Sequence, residues 1–277
     1  MKILISLTTV MFVASVQSSS IHLSPKGQDG QSVSDNRSPG TRARERLMNT
    51  LLANYVKSVN PGPYDGSPLQ INMSLSLINL DSVDTKERII ETHSLLWMTW
   101  TDERLSWNPS DYHEVNKLHM PTDSIWIPDI DLLNNDGDAN KPVSDMIADV
   151  TSDGSVIYAP ELHLKSLCET GQEAPEAARI ARILGSSELV CKLLFGSWTY
   201  DTTEIKLVTP SSQMDMSTLI RLSADNFHVK STSVEVDHKT FNCCPNDENK
   251  KKLPIQFATF TIVISNNPIY RRGYNTR

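Results

Sequence analysis

A regular alternation of apolar and polar residues begins at position 69 and constrains the fold more than any other feature. Apolar side chains occupy every second position up to 77, and Gln, Asn or Ser fills each position between them. Successive side chains of a β-strand point to opposite faces of a sheet, so the pattern predicts a half-buried strand. Its apolar residues are Leu69, Ile71, Met73, Leu75 and Leu77.

Similar short apolar runs recur along the chain, and turn residues such as Ser152-Asp153-Gly154 separate them. Many short strands with turn residues between them predict an all-β fold, an immunoglobulin-like β-sandwich. The further predicted strands are 89–101, 155–167, 189–198, 204–208, 228–236 and 255–264.

Helical spacing precedes the first strand, over residues 41–59. Thr41 is the predicted N-cap, and Pro61-Gly62-Pro63 ends the helix. A second, short helix is predicted in an Ala-, Arg-, Ile- and Leu-rich insertion at 174–184. The residues that share one face of the first helix are Leu47, Leu51, Leu52, Tyr55 and Val59.

The amino terminus resembles a secretory signal peptide, with Lys2 followed by an apolar stretch at 3–13 and then small or polar residues. That stretch is too short to cross a bilayer, which needs about 20 apolar residues, and later apolar runs have strand length. We therefore expect a secreted, extracellular protein without a membrane span. The expected organisation is a signal peptide at 1–19, a disordered arm at 20–40, one β domain at 41–270 and a tail at 271–277.

Charge and motif content argue against several classes of function. The formal net charge is -7, whereas a nucleic-acid-binding surface needs clustered Lys and Arg. The acidic balance weakly favours cationic partners, although a solvated acidic surface explains it equally well. No nucleophile elbow, phosphate-binding Gly-rich loop or zinc-protease motif occurs, so we expect no enzyme, no cofactor and no metal.

Four cysteines in an exported chain predict two disulfides, with three possible connectivities. Cys243 and Cys244 are adjacent. A bond between them closes a strained ring, and strain of this kind is kept mostly at functional sites. The alternative is two long-range bonds, in which Cys168 and Cys191 each pair with one member of the adjacent pair.

Trp198 differs in its setting from the other four tryptophans because it stands at the very end of a predicted strand, close to Tyr200. An exposed indole face attracts organic cations through cation–π interaction, worth about 0.5–2 kcal/mol. The alternative, which residue type alone favours, is that Trp198 belongs to the core.

Several motifs occur in a fixed order and resemble those of the nicotinic acetylcholine receptor family, whose extracellular domains are Cys-loop ligand-binding domains. The likeness is closest to the soluble acetylcholine-binding proteins of that family, and it covers residues 44–270. The motifs are WTDERLSWNPSDY at 100–112, WIPDI at 126–130, SDG at 152–154, YAP at 158–160, CKLLFGSWTY at 191–200 and FNCC at 241–244.

The resemblance implies a homopentamer that holds a small cationic amine, such as acetylcholine or nicotine, between neighbouring subunits. Trp198 would be the central aromatic of the cage, and Asp129 would orient the segment that carries it. Phe241 stands where the family has the first tyrosine of a closing loop, and Cys243 and Cys244 form the tip of that loop.

Three family aromatics are replaced by aliphatic residues: Leu133 and Ile255 on the Trp198 side, and Leu95 on the complementary side. Each loss costs on the order of 1 kcal/mol of cation binding, so we expect weakened acetylcholine affinity and a smaller effect on bulkier alkaloids. Trp97 shares a strand face with Leu95 and is a candidate replacement. The other complementary positions are Asp149, Ile157 and Ala159.

The segment between Cys168 and Cys191 is longer than the family's Cys-loop and lacks its aromatic-Pro-aromatic tip, which agrees with a soluble protein. Two alternatives remain: the extracellular domain of a channel subunit, and a modulatory homologue that binds no amine. Asn36 and Asn72 lie in glycosylation sequons.

Overall fold

The computed structural model describes residues 37–135, 147–170, 187–219, 221–222, 227–240 and 254–266. One α-helix precedes a succession of β-strands, as the sequence predicts for an all-β sandwich. The helix, α1, is Pro39–Leu52. The strands are β1 (Leu69–Asp84), β2 (Ile89–Thr101), β3 (Lys117–Pro121), β4 (Ile130–Leu132), β5 (Ile147–Thr151), β6 (Ser155–Tyr158), β7 (Glu161–Thr170), β8 (Ser187–Ser197), β9 (Ile205–Val208), β10 (Arg221–Leu222), β11 (Phe227–Lys239) and β12 (Ile255–Asn266).

The strands form two sheets that share β7. In the first sheet, β1 and β2 pair in antiparallel fashion, β9 and β10 join β1, and β6, β5 and β3 continue from β2. In the second sheet, β8 lies between β12 and β4, and β11 is at the edge. β7 pairs with β2 along most of its length and then with β8 at its end.

A disulfide lies where β7 leaves the first sheet for the second. Cys168 of β7 and Cys191 of β8 are register partners, and their sulfur atoms are bonded. The alternative connectivity, in which these two cysteines pair with the adjacent pair further along the chain, is therefore wrong. The bond joins the two sheets at the strand that they share.

The core fills the space between the sheets and follows the alternation seen in the sequence. The apolar positions of β1 from Leu69 to Leu77 are all buried, as predicted. From the second sheet, the rings of Phe195 and Phe260 meet edge to face, with centroids 5.8 Å apart. Trp100 packs in the same manner against Trp126, at 5.7 Å. Aromatic pairs in this geometry stabilise a core beyond the area that they bury.

The predicted helix is wrong at both ends. Its N-cap is Ser38 rather than Thr41, because Ser38 Oγ accepts the Thr41 amide over 3.1 Å. The helix ends at Leu52 rather than Val59. Beyond that end, the Tyr55 hydroxyl donates to the buried Asp102 carboxylate over 2.6 Å, so Tyr55 serves a tertiary contact instead of continuing a helical face.

The strand predictions hold in most places and fail where proline or short length intervenes. The predicted strand 89–101 coincides with β2. The predicted strand 155–167 is wrong as one element, because Pro160 lacks an amide donor and the chain divides there into β6 and β7. β3, β4, β5 and β10 were not predicted, since runs this short carry little periodicity.

Within the part of the chain that the structure describes, no helix combines the length and apolarity needed to cross a membrane. The predicted signal peptide, the arm up to residue 36, the helix at 174–184 and the tail lie outside the described residues.

Candidate ligand-binding site

Trp198 lies on a turn after β8 and is exposed. β8 ends at Ser197, which is buried, whereas 63% of the Trp198 surface is open to solvent. The interpretation of Trp198 as a core residue is therefore wrong. A large aromatic face at the surface is instead available to a ligand or a partner.

Asp129 and Ser197 hold this turn in place. Ser197 Oγ donates to Asp129 Oδ1 over 2.6 Å, and the Thr199 amide donates to Asp129 Oδ2 over 3.1 Å. Ser197 Oγ also accepts from the amides of Thr199 and Tyr200, at 3.0 and 2.8 Å. Through these contacts, Asp129 holds the segment that carries Trp198, as the sequence suggested. They present the Trp198 indole from a rigid support.

Leu133 and Ile255 lie at the same end of the second sheet as Trp198. Phe257 of β12 pairs with Gly196 of β8. Ile255 precedes Phe257 by two positions in β12, and Trp198 follows Gly196 by two positions, just past the end of β8. Leu133 follows β4, which also pairs with β8. A Cβ at Gly196 would lie 3.0 Å from both Leu133 Cδ1 and the Gln256 carbonyl oxygen, so Leu133 packs closely over this glycine.

The remaining predicted residues of this side, Phe241, Cys243 and Cys244, lie outside the described residues. β11 ends at Lys239 and β12 begins at Ile255, and these two residues are register partners. The end of β11 and the start of β12 therefore both lie at the end of the second sheet where Trp198 is found. The closing loop itself stays a prediction.

The predicted complementary residues lie on the outward face of the first sheet. Leu95 and Trp97 share that face of β2, where Leu95 is half-buried and Trp97 is 40% exposed. Ile157 of β6 pairs with β2, and Asp149 of β5 pairs with Ile157. Because directly paired residues point to the same side of a sheet, these side chains form one surface. Ala159 follows β6 and is half-buried.

Asp149 is already engaged with two basic side chains of β3. Lys117 Nζ contacts Asp149 Oδ2, and His119 Nδ1 lies 2.5 Å from Asp149 Oδ1. Partial burial raises the pKa of Asp149, but hydrogen bonds from Lys117 and His119 outweigh this and hold the pKa below its ordinary value. Asp149 is therefore ionised at neutral pH, and a ligand cation would have to compete with Lys117 for it.

The two groups of predicted residues thus lie on different sheets. Trp198, Leu133 and Ile255 belong to one end of the second sheet, and Leu95, Trp97 and their neighbours to the outward face of the first. A binding site that uses both groups requires the Trp198 end of the second sheet to face the outward surface of a first sheet.

A small cavity between the sheets had no signal in the sequence. Its volume is about 140 Å³, and Leu96, Met98 and Phe195 are among the side chains that line it, with Asp131 at the polar side. Burial raises the pKa of Asp131, and the charge of Asp129 raises it further.

Among the described residues, no group of three or more His, Cys, Asp or Glu side chains is arranged to hold a metal ion.

Of the two sequons, Asn36 lies outside the described residues, and Asn72 lies on the outward face of β1. The Asn72 amide nitrogen donates to Thr99 Oγ1 over 3.3 Å, and its oxygen accepts from Gln70 over 3.0 Å. A glycan on Asn72 would replace one of the two hydrogens of this nitrogen and leave one to donate. Glycosylation stays a prediction.

The structure thus combines a β-sandwich whose two sheets are tied by a cysteine bridge with an aromatic side chain open to solvent, an arrangement that suits a domain for binding a ligand. Residues 44–173 match the family described as the neurotransmitter-gated ion-channel ligand binding domain. The chain belongs to this family, the ligand-binding domains of Cys-loop receptors.

The curated relatives are acetylcholine receptor subunits. The chain is 38% identical over 178 residues to the human neuronal acetylcholine receptor subunit beta-4, an alignment that covers 62% of this chain and 34% of that protein. It is 31% identical over 207 residues to the rat neuronal acetylcholine receptor subunit alpha-6, an alignment that covers 75% of this chain and 40% of that protein. It is 36% identical over 174 residues to the Caenorhabditis elegans acetylcholine receptor subunit alpha-type unc-63, and this alignment covers 61% of the chain and 33% of that protein. The chain therefore spans little more than a third of the length of these relatives.

Proposed function

We propose that this protein is a secreted, soluble binding protein that captures a small cationic amine, of the acetylcholine or nicotine type, without chemical conversion. The observation that carries this proposal is the exposure of Trp198 on a turn that Asp129 holds. An indole that stays exposed on a turn with a fixed backbone keeps its electron-rich face open to a cation. The Trp198 carbonyl is a further acceptor for the proton of a tertiary amine.

The binding site is completed by a second copy of the chain in a homopentameric ring. Support comes from the outward face of the first sheet, which exposes apolar side chains that water does not favour. Trp97 is 40% exposed there, Ile147 60% and Leu167 56%. In a closed ring, every subunit offers its Trp198 end to one neighbour and its Trp97 face to the other. The three relatives named above are acetylcholine receptor subunits, and their names suggest the ligand class.

The affinity for acetylcholine is lower than a complete aromatic cage would give. Leu133, Ile255 and Leu95 are aliphatic, and each replaces a ring that could contact the cation. Each loss of about 1 kcal/mol lowers affinity about fivefold, since about 1.4 kcal/mol is tenfold, and three together lower it about a hundredfold before any gain from Trp97. Bulkier alkaloids recover part of this through burial of apolar surface on the same leucine and isoleucine side chains.

Intrinsic fluorescence of the purified protein tests the proposal. Acetylcholine, nicotine and a larger alkaloid are titrated into the wild-type protein, whose size is measured by analytical ultracentrifugation. Saturable quenching is expected in a pentamer, and it disappears in Trp198→Ala without a change in size. Trp107→Phe is the matched control, because the Trp107 indole donates to the Val115 carbonyl and lies outside the proposed site. A folded pentamer that responds to none of the three amines contradicts the proposal.

A second candidate is the extracellular domain of a channel subunit, which the identity of the relatives favours because they are receptor subunits. Transcripts from the source tissue distinguish the two. Reading frames that continue past Arg277 into four hydrophobic helices would support the channel subunit. A pentamer that binds no amine would point to the third possibility, a modulatory homologue.

A further inference from the structure

The Trp97 indole is held in one direction by a hydrogen bond. Trp97 Nε1 donates to Ser76 Oγ over 3.1 Å. Ser76 is the register partner of Leu95, whereas the register partner of Trp97 is Ser74. The indole therefore reaches diagonally across the first sheet, from its own row toward the row of position 95. This brings the ring beside the place where the family aromatic is missing.

The serine that accepts this bond is buried and has its own partner. Ser76 is 1% exposed, and its hydroxyl donates to Asp215 Oδ2 over 3.0 Å. A serine hydroxyl has a single proton. Once that proton points to Asp215, the lone pairs of Ser76 are left to accept from the indole. The direction of the Trp97 ring thus depends on an anion that Trp97 does not touch.

Asp215 is itself fixed to the sheet. Its amide donates to the Leu75 carbonyl, its carbonyl accepts from the Leu77 amide, and both bonds measure 3.1 Å. Asp215 Oδ1 also accepts the Ser217 amide over 2.9 Å. Hydrogen bonds from Ser217, and then from Ser76, lower the pKa of Asp215, which keeps its charge at neutral pH.

We propose that Ser76 and Asp215 are positioning residues that hold Trp97 as the complementary-side aromatic of the amine site. This inference rests on the proposed function, and it gives the site a cation-selective feature of its own. An indole N–H that donates toward an anion gains electron density in its ring, and this strengthens the attraction between the ring face and a cation. Trp97 therefore takes over the role that Leu95 cannot perform.

The other indoles whose N–H donors find partners show how Trp97 differs. Trp107 Nε1 donates to the Val115 carbonyl, and Trp126 Nε1 donates to the Tyr200 hydroxyl. Both of those rings belong to or pack against the core. Trp97 is held as firmly but keeps 40% of its surface open. An oriented and exposed ring on the outward face is arranged for contact with something outside the chain.

A double-mutant cycle tests the inference. Calorimetric titrations with acetylcholine and nicotine are made on wild-type protein, Ser76→Ala, Trp97→Phe and the double variant. Trp97→Phe is expected to weaken binding about tenfold, and Ser76→Ala about three- to tenfold. Because Ser76 acts through the indole N–H, which phenylalanine lacks, Ser76→Ala should have no further effect in the Trp97→Phe background. Asp215→Asn should weaken binding in the same direction as Ser76→Ala.

The control is Ser82→Ala, which removes another hydroxyl of β1 that donates to a carboxylate, Glu91, over 3.1 Å. Its binding should match wild type. Near-ultraviolet circular dichroism reports the ordered indole as the difference between the spectra of wild type and Trp97→Phe. The corresponding difference between Ser76→Ala and the double variant should be smaller, because Ser76 no longer holds the ring.

Three outcomes overturn the inference. Equal losses from Ser76→Ala in both backgrounds would mean that Ser76 acts on the scaffold and not through Trp97. Unchanged binding in Trp97→Phe, together with loss of binding in Trp198→Ala, would leave the proposed function intact and remove Trp97 from the site. A wild-type pentamer that binds neither amine would overturn both.

Discussion

An Asp102→Ala variant is expected to lose about 3–4 kcal/mol of unfolding free energy, because it removes the carboxylate of a buried charged network. Asp102 is fully buried. Arg104 donates to it through Nε and Nη2, each over 2.8 Å, and the Tyr55 hydroxyl donates over 2.6 Å. Without Asp102, the partly buried Arg104 guanidinium loses its only carboxylate partner in this network and keeps the Val56 carbonyl and the Tyr55 oxygen as acceptors. The Tyr55 hydroxyl loses its acceptor.

The same network reaches the proposed ligand site. Burial and donation to Asp102 raise the pKa of Tyr55, so its hydroxyl stays protonated. The Tyr55 oxygen accepts the Trp126 amide over 3.0 Å, three residues before Asp129. Loss of Asp102 therefore loosens the segment that supports the Trp198 turn, and amine binding should weaken with stability.

Urea unfolding followed by circular dichroism measures the Asp102 effect. Asp237→Ala is the matched control, since Asp237 is an exposed acid of β11, and its midpoint should stay close to wild type. A loss below about 1 kcal/mol in Asp102→Ala would contradict the account. It would mean that water replaces the carboxylate at Arg104 without penalty.

Replacement of both Cys168 and Cys191 by serine is expected to lower the unfolding free energy by about 3 kcal/mol. The bond closes a loop with a sequence separation of 23, and opening it returns loop entropy to the unfolded chain. It also releases β7 at the point where that strand passes from one sheet to the other.

Mutation is preferable to reductant for this test, because a reductant would also act on the predicted bond between Cys243 and Cys244. The variant should remain folded at low temperature, since both cysteines are flanked by paired strands. Urea midpoints and thermal midpoints should both fall. Midpoints that equal those of wild type would show that the junction of the two sheets is held by packing and strand pairing alone.

Long and regular elements were predictable from the sequence. The alternation from Leu69 to Leu77 reflects burial of one face, and β2 was found with its bounds correct. Failures occurred where a tertiary contact overrides a local pattern. Tyr55 fits a helical face by spacing, yet its hydroxyl serves Asp102, so the helix ends earlier. Pro160 divides a strand that apolar content alone joins together.

The candidate site was predictable only in part. Motif order singled out Trp198 and Asp129, and the structure places Trp198 at the surface beside a turn that Asp129 contacts, although residue type alone favoured the core. Their role in amine binding stays a prediction. The partners of Trp97 were not predictable, because Ser76 and Asp215 are 139 residues apart and neither belongs to a motif. The direction of an indole N–H is a property of packing, which no spacing in the sequence encodes.

The measurement that tests the central claim most directly compares acetylcholine with its uncharged isostere, in which carbon replaces the quaternary nitrogen. Both are titrated calorimetrically into wild-type protein and Trp198→Ala. The account predicts that wild type binds the cation at least about tenfold more tightly than the isostere, and that this preference disappears in Trp198→Ala. Equal affinity of wild type for the two ligands would contradict a site built on the attraction between a cation and the exposed face of Trp198.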